Sequence, residues 1–168
     1  MKTIILSIYL LLSTAAFTSG QGKPASQTKT MIDLYFSRYS DEPKYEVNTM
    51  GEAMVKRTNE MHMWSHPSIA RIMKQVKVYK YLNFNSSPQH SEEIVNQIDK
   101  AVNKDNWYKE YFKWELNDRT SSVIYTRGKE NMVTEVVYFT ISAKKIHVSC
   151  YVGDNIDMES IRSLVLNK

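Results

Sequence analysis

The segment Met61-His62-Met63-Trp64-Ser65-His66-Pro67 gathers two of the four histidines in a 168-residue chain together with two thioethers and an indole. Imidazole nitrogen and thioether sulfur are ligands for borderline and soft metal ions. On a continuous helix His62 and His66, four residues apart, would share one face and hold copper or zinc. Pro67 opposes that register, because the residue before a proline is pushed out of helical geometry. A four-ligand site would also have to recruit His90 or His147 from distant segments. The sequence therefore predicts a connection anchored by Trp64 and no metal centre, with His62 and His66 as the candidates on which a metal alternative rests.

Other chemistries have less support. The chain contains no G-x-S-x-G elbow, H-E-x-x-H pair, P-loop or G-x-G-x-x-G turn, so no cofactor is expected. The acidic pairs Glu92-Glu93 and Asp154 with Asp157 fall at helix entrances, where the helix dipole favours carboxylates. Cys150 alternates in phase with Ile146, Val148 and Val152 and is expected to be a buried small side chain. With one cysteine the chain cannot form an internal disulfide. Alternation around the aromatic group Trp107–Trp114 places Phe112, Trp114 and Leu116 inward and Tyr111 outward. Tyr79, Tyr81, Tyr111 and Tyr138 would then line an open sheet face which, with Trp64, is the expected interaction surface.

The elements that must hold these residues follow from periodicity. Residues 1–20 run from Lys2 through an apolar stretch, Ile4 to Leu12, to small residues at Thr18-Ser19-Gly20. This is the pattern of a secretory signal peptide, too short in its apolar part to span a bilayer, with cleavage expected after Gly20. A lipoprotein leader would need a cysteine there, so no lipid anchor is expected at this point. Residues 21–27 read as a flexible lead-in and 28–168 as a single domain. With Lys2 in the leader, 21 basic side chains face 18 acidic ones without a concentrated stripe, which argues against a nucleic-acid partner.

Apolar spacing predicts a first helix over 28–39, a strand over 44–49, helices over 52–61 and from Pro67, and a strand over 76–84. A further helix follows from Pro88, with Ile94, Ile98, Ala101 and Val102 in one stripe. After Asn106 the period changes to two: YKEYFKWEL, SSVIYTRG, MVTEVVYFTIS and KKIHVSCYVG form a four-strand antiparallel meander. Asp157 caps a last helix carrying Met158, Ile161, Leu164 and Val165. The expected fold is α+β, one mainly antiparallel sheet with helices mostly on one face.

This order, the exit Arg38-Tyr39-Ser40-Asp41 from the first helix, and the ending Gly153-Asp154-Asn155-Ile156-Asp157-Met158-Glu159-Ser160-Ile161 resemble the exported bacterial proteins of domain-of-unknown-function family 4252, over roughly residues 28–166. The resemblance implies a small α+β domain in the periplasm or cell envelope and supplies no catalytic residues. Within it Gly153 would end the last strand and Asp157 would cap the helix that follows. The sequence thus leads to a non-catalytic binding module whose partner is an envelope protein or ligand, with no membrane span once the leader is removed. The alternatives are a periplasmic copper or zinc protein using Met61–Pro67, and a small hydrolase whose site the sequence does not reveal.

Overall fold

The computed structural model describes residues 29–117, 120–129 and 132–166. The expected leader, the whole lead-in 21–27 and residue 28 lie outside them. Strand β1 (Glu46–Met50) leads through helices α1 (Glu52–Glu60) and α2 (Pro67–Met73) to β2 (Val78–Asn85) and the long helix α3 (Pro88–Asp105). Strands β3 (Lys109–Asn117), β4 (Thr120–Lys129), β5 (Met132–Ser142) and β6 (Lys145–Ile156) follow, and α4 (Met158–Leu166) closes the described chain. All six strands form one antiparallel sheet in the order β1-β2-β6-β5-β4-β3. The fold is α+β and carries the C-terminal meander that the alternation predicted.

Local chemistry sets the helix ends. Ser87 accepts the amide of His90 at 3.2 Å and Pro88 occupies the first turn, where its missing N–H is not needed, so α3 starts there. Its stripe Ile94, Ile98 and Val102 is buried. Asn106, at φ 50°, turns the chain out of the helix. The expected first helix is irregular: a π-helical turn over Ile32–Phe36 passes into a 3-10 turn over Ser37–Tyr39. Met31, Ile32, Tyr35 and Phe36 are all buried, while the amide of Thr30 goes to Asp33 at 3.0 Å and that of Met31 to Glu135 at 3.0 Å. Tertiary anchors at its start and burial of neighbouring apolar pairs override regular winding.

Alternation divides the core in two. On one face Leu82 and Phe84 of β2, Val123 and Tyr125 of β4, Val137, Phe139 and Ile141 of β5, and Ile146, Val148 and Cys150 of β6 pack under α3 and the N-terminal turns. On the other, Ile124, Val136 and Tyr151 pack with Val55 of α1, Ile72 and Met73 of α2, and Ile161 and Leu164 of α4. The longest helix has the first face. Where the sequence suggested helices mostly on one side, the short helices also cover one end of the second face and leave its other end half-exposed.

Two local readings are corrected. Phe112, expected in the core, is 41% exposed, and Tyr111, expected on the open face with Tyr79 and Tyr138, lies on that side of the sheet but half-buried against the second apolar cluster. The cause is a bulge: Glu110 sits opposite Tyr125 and Phe112 opposite Ile124, so Tyr111 is the additional residue and the alternation inverts there. Gly153 does not end the last strand, which continues to Ile156. A β-carbon at Gly153 would run into the carbonyl of Gln75, so glycine is needed for close approach of β6 to the end of α2.

Candidate functional site

The half-exposed end of the second face is a grid of polar and aromatic side chains. Tyr81 lies opposite Ser149 and Asn83 opposite His147 across β2 and β6. Ser149 lies opposite Tyr138 and His147 opposite Thr140 across β6 and β5, and Thr140 faces Ser122 on β4. His147 Nδ1 is 2.6 Å from Asn83 Oδ1, its Nε2 is 2.9 Å from Ser149 Oγ, and Ser149 Oγ is 3.1 Å from the Tyr79 hydroxyl. Burial, with repulsion from Lys145, holds the His147 imidazole below its ordinary pKa, so the neutral ring is favoured. Asn83 Oδ1 only accepts, so Nδ1 carries the proton. The Ser149 hydroxyl then donates to Nε2 and accepts from Tyr79, one directed chain that fixes all four side chains.

The five aromatic residues singled out in the sequence all belong to this side of the sheet. Tyr79 is the hinge between covered and open parts: its ring centroid is 5.2 Å from Tyr151, 5.7 Å from Tyr81 and 6.1 Å from Trp64, which meets it edge-on. Trp64, Tyr79, Tyr111 and Tyr138 pack against the second apolar cluster and are half-buried. Tyr81 stands further out, with its ring 6.4 Å from that of His147. Asn83, His147 and Ser149 were missed. The available signal was their phase, which they share with Tyr79 and Tyr81 on β2 and with Tyr151 on β6.

The histidine-methionine segment is split between two helix ends. Met63 N–H reaches the Thr58 carbonyl at 3.2 Å and His62 N–H the Asn59 carbonyl at 3.1 Å, the paired bonds of a Schellman ending for α1. His62 occupies the left-handed position, φ 51°, usually taken by glycine and costing a side-chain-bearing residue about 1–2 kcal/mol. Its ring Nδ1 also lies 3.1 Å from the Asn59 carbonyl. His66 is extended at the start of α2, its Nδ1 2.7 Å from Ser68 Oγ. The two imidazoles therefore share no helix face. Among the described residues no group of three or more His, Cys, Asp or Glu side chains is placed to hold a metal ion.

A third cluster, on the first face, was not foreseen. Glu135 is fully buried and accepts from Tyr108 Oη at 2.8 Å and the Met31 amide at 3.0 Å, with Arg127 Nη2 at 2.5 Å. Arg127 also donates to the Lys29 carbonyl at 2.8 Å and lies over the Tyr108 ring, 5.2 Å from its centroid. Burial pushes the Glu135 carboxyl up, opposed by Arg127, the Met31 amide and the Tyr108 hydroxyl. Burial and then Glu135 raise the neighbouring Cys150 thiol far above its ordinary range, so Cys150 is an unreactive core residue. The cluster fastens the N-terminal segment to the sheet. Glu135 shares the phase of Val137, Phe139 and Ile141, and a charge in an inward phase was the signal.

The glycine-aspartate ending is likewise a structural joint. Asp157 Oδ1 accepts the Ser160 amide at 2.6 Å, and Gln75 accepts the Asp157 amide at 2.8 Å, tying the start of α4 to the end of α2. Asp154 pairs with Lys77 at 2.5 Å, both well exposed. The family described as a domain of unknown function, DUF4252, matches residues 39–164, a span from the N-terminal turns to this joint. Neither the curated proteins nor the solved structures give a match.

Proposed function

The chain belongs to the DUF4252 family, and on that premise we propose that it is an exported cell-envelope protein that acts without catalysis, by binding another envelope protein through the half-exposed end of the sheet. The leader pattern of residues 1–20 supports export. Among the described residues no helix is long and apolar enough to cross a membrane. The observation that carries the binding reading is the composition and stiffness of the grid. Tyr81 and Tyr138 supply large amphipathic area at low entropic cost, and Asn83, Thr140 and His147 supply hydrogen bonds, a mixture that suits a protein surface. The directed chain from Tyr79 to Asn83 holds Asn83 and His147 in place before any partner arrives.

Ser149, His147 and Asn83 also have the order of a nucleophile, a base and its orienter. Ser149 is only 2% exposed, and β6 is paired on both sides, so its amides are committed to neighbouring strands. A substrate carbonyl would find neither an accessible hydroxyl nor strand amides free to receive an oxyanion. The arrangement serves the surface better than a hydrolase.

A photo-crosslinking residue placed at Tyr81 in cells tests the reading, with Lys100 on the exposed side of α3 as control. The expected result is one discrete envelope adduct from position 81, lost when Tyr138→Ser is added, on a protein recovered from the envelope fraction without residues 1–20. Identical adducts from both positions, or a cytosolic protein that retains the leader, would overturn it.

A further inference from the structure

The second face leaves Met61-His62-Met63 unused, and its chemistry is distinct. Met61 is 56% exposed and Met63 63% exposed, on either side of an exposed imidazole. Thioethers are normally sequestered in cores, and two beside one imidazole form a soft, neutral donor set. His62 is presented in a defined orientation. The Asn59 carbonyl can only accept, so the ring nitrogen 3.1 Å from it, Nδ1, is the donor, and Nε2 is the nitrogen left to face a ligand. A ligating imidazole is typically fixed this way, its second nitrogen donating to a backbone carbonyl.

Asn59 also holds the turn from the other side. Its side chain accepts from Trp64 Nε1 at 2.6 Å and donates to the Met73 carbonyl at 2.8 Å, while its carbonyl takes both the main-chain and the ring N–H of His62. The backbone amides of Met61, His62 and Met63 are all bonded to the last turns of α1. The turn is therefore rigid where the ligand atoms leave it, although His62 sits in a conformation that favours glycine.

We propose that Met61, His62 and Met63 bind one monovalent soft cation of the copper(I) class through two sulfur atoms and His62 Nε2. Three dative bonds form, Nε2 giving the lone pair of the neutral ring and any proton it carries passing to solvent, and the metal does not change oxidation state. The absence of carboxylates from the donor set disfavours zinc, calcium and magnesium there. The site does not depend on the sheet-face reading, and the measurement below reports on neither Tyr81 nor Tyr138.

The full chain is titrated with silver(I), the redox-inert member of the class, and anaerobically with copper(I). Methionine methyl carbons and histidine ring nitrogens are followed by NMR. One equivalent is expected to move the methyls of Met61 and Met63 and the Nε2 resonance of His62, and to leave Met54, Met132 and Met158, which are also exposed, in place. Met61→Leu and Met63→Leu conserve side-chain volume at exposed positions. Each is expected to weaken binding at least about tenfold, the loss that disturbing an outer-shell partner already causes. His62→Asn keeps a residue tolerant of the left-handed turn while removing the nitrogen ligand, and His66→Gln is expected to leave the affinity unchanged. Shifts spread evenly over all exposed methionines, an unchanged affinity in the Met61→Leu/Met63→Leu variant, or zinc(II) binding at His62 without thioether movement would each overturn the assignment.

Discussion

Replacing Glu135 by glutamine tests whether the buried cluster holds the N-terminal segment. The substitution keeps shape and removes charge. One carboxylate oxygen receives the Met31 amide and the other receives Tyr108 and Arg127, so all three partners are donors. Glutamine offers one oxygen and one NH2 group; whichever way it turns, a donor meets a donor, and Arg127, itself 12% exposed, loses its counter-charge. Breaking a buried pair in this way costs about 3–5 kcal/mol. For a domain of this size that is a fall in Tm of roughly 10–15 °C.

Urea unfolding gives the free energy, and amide exchange shows where it is lost, with the expected acceleration centred on Met31 and the turns up to Tyr39. Glu135→Met combined with Arg127→Met is expected to recover most of the loss, since apolar replacement of a whole buried pair is often neutral or better. A Glu135→Gln protein within 1 kcal/mol of wild type by the criterion of extrapolated unfolding energies, with unchanged exchange at Met31, would refute the reasoning.

Three further outcomes are expected. The neutral His147 has a folded pKa below its unfolded one, so its contribution to stability is complete above about pH 6.5 and is lost as pH falls toward the folded value; urea midpoints at about pH 7.5 and about pH 5 should differ less in His147→Gln than in wild type. Gly153→Ala forces a β-carbon onto the Gln75 carbonyl and should cost about 1–3 kcal/mol in thermal unfolding. Asn59→Ala strands the Trp64 N–H and the Met73 carbonyl and should cost about 1–3 kcal/mol, with a red-shifted Trp64 fluorescence reporting entry of water; a midpoint shift without a spectral change would contradict that placement of Trp64.

Period and punctuation made much of the fold legible. Val133, Val137, Phe139 and Ile141 announced β5, and Pro88 with the stripe Ile94, Ile98 and Val102 announced α3, because each pattern is generated within a few residues. The tyrosines of the sheet face were readable for the same reason. Phe112 was misread because a bulge is set by the pairing of β3 with β4, and a one-residue insertion reverses the inferences from alternation that follow it. Asn83, His147 and Ser149 looked unremarkable because their meaning lies in a pairing between strands more than sixty residues apart.

What the sequence alone determined is the set of local decisions: where strands and helices run, that Pro67 would separate His62 from His66, and that Asp157 would cap α4. Each is governed by torsional preference and hydrogen bonding over a single turn or strand. What only the tertiary structure decided is adjacency. It set β6 between β2 and β5, joined Tyr79 to Ser149 and His147 to Asn83, and closed Glu135 on Arg127 and the Met31 amide. Those contacts depend on which distant segments together bury the most apolar surface and satisfy each other's polar groups, a condition on the whole chain that no local window contains.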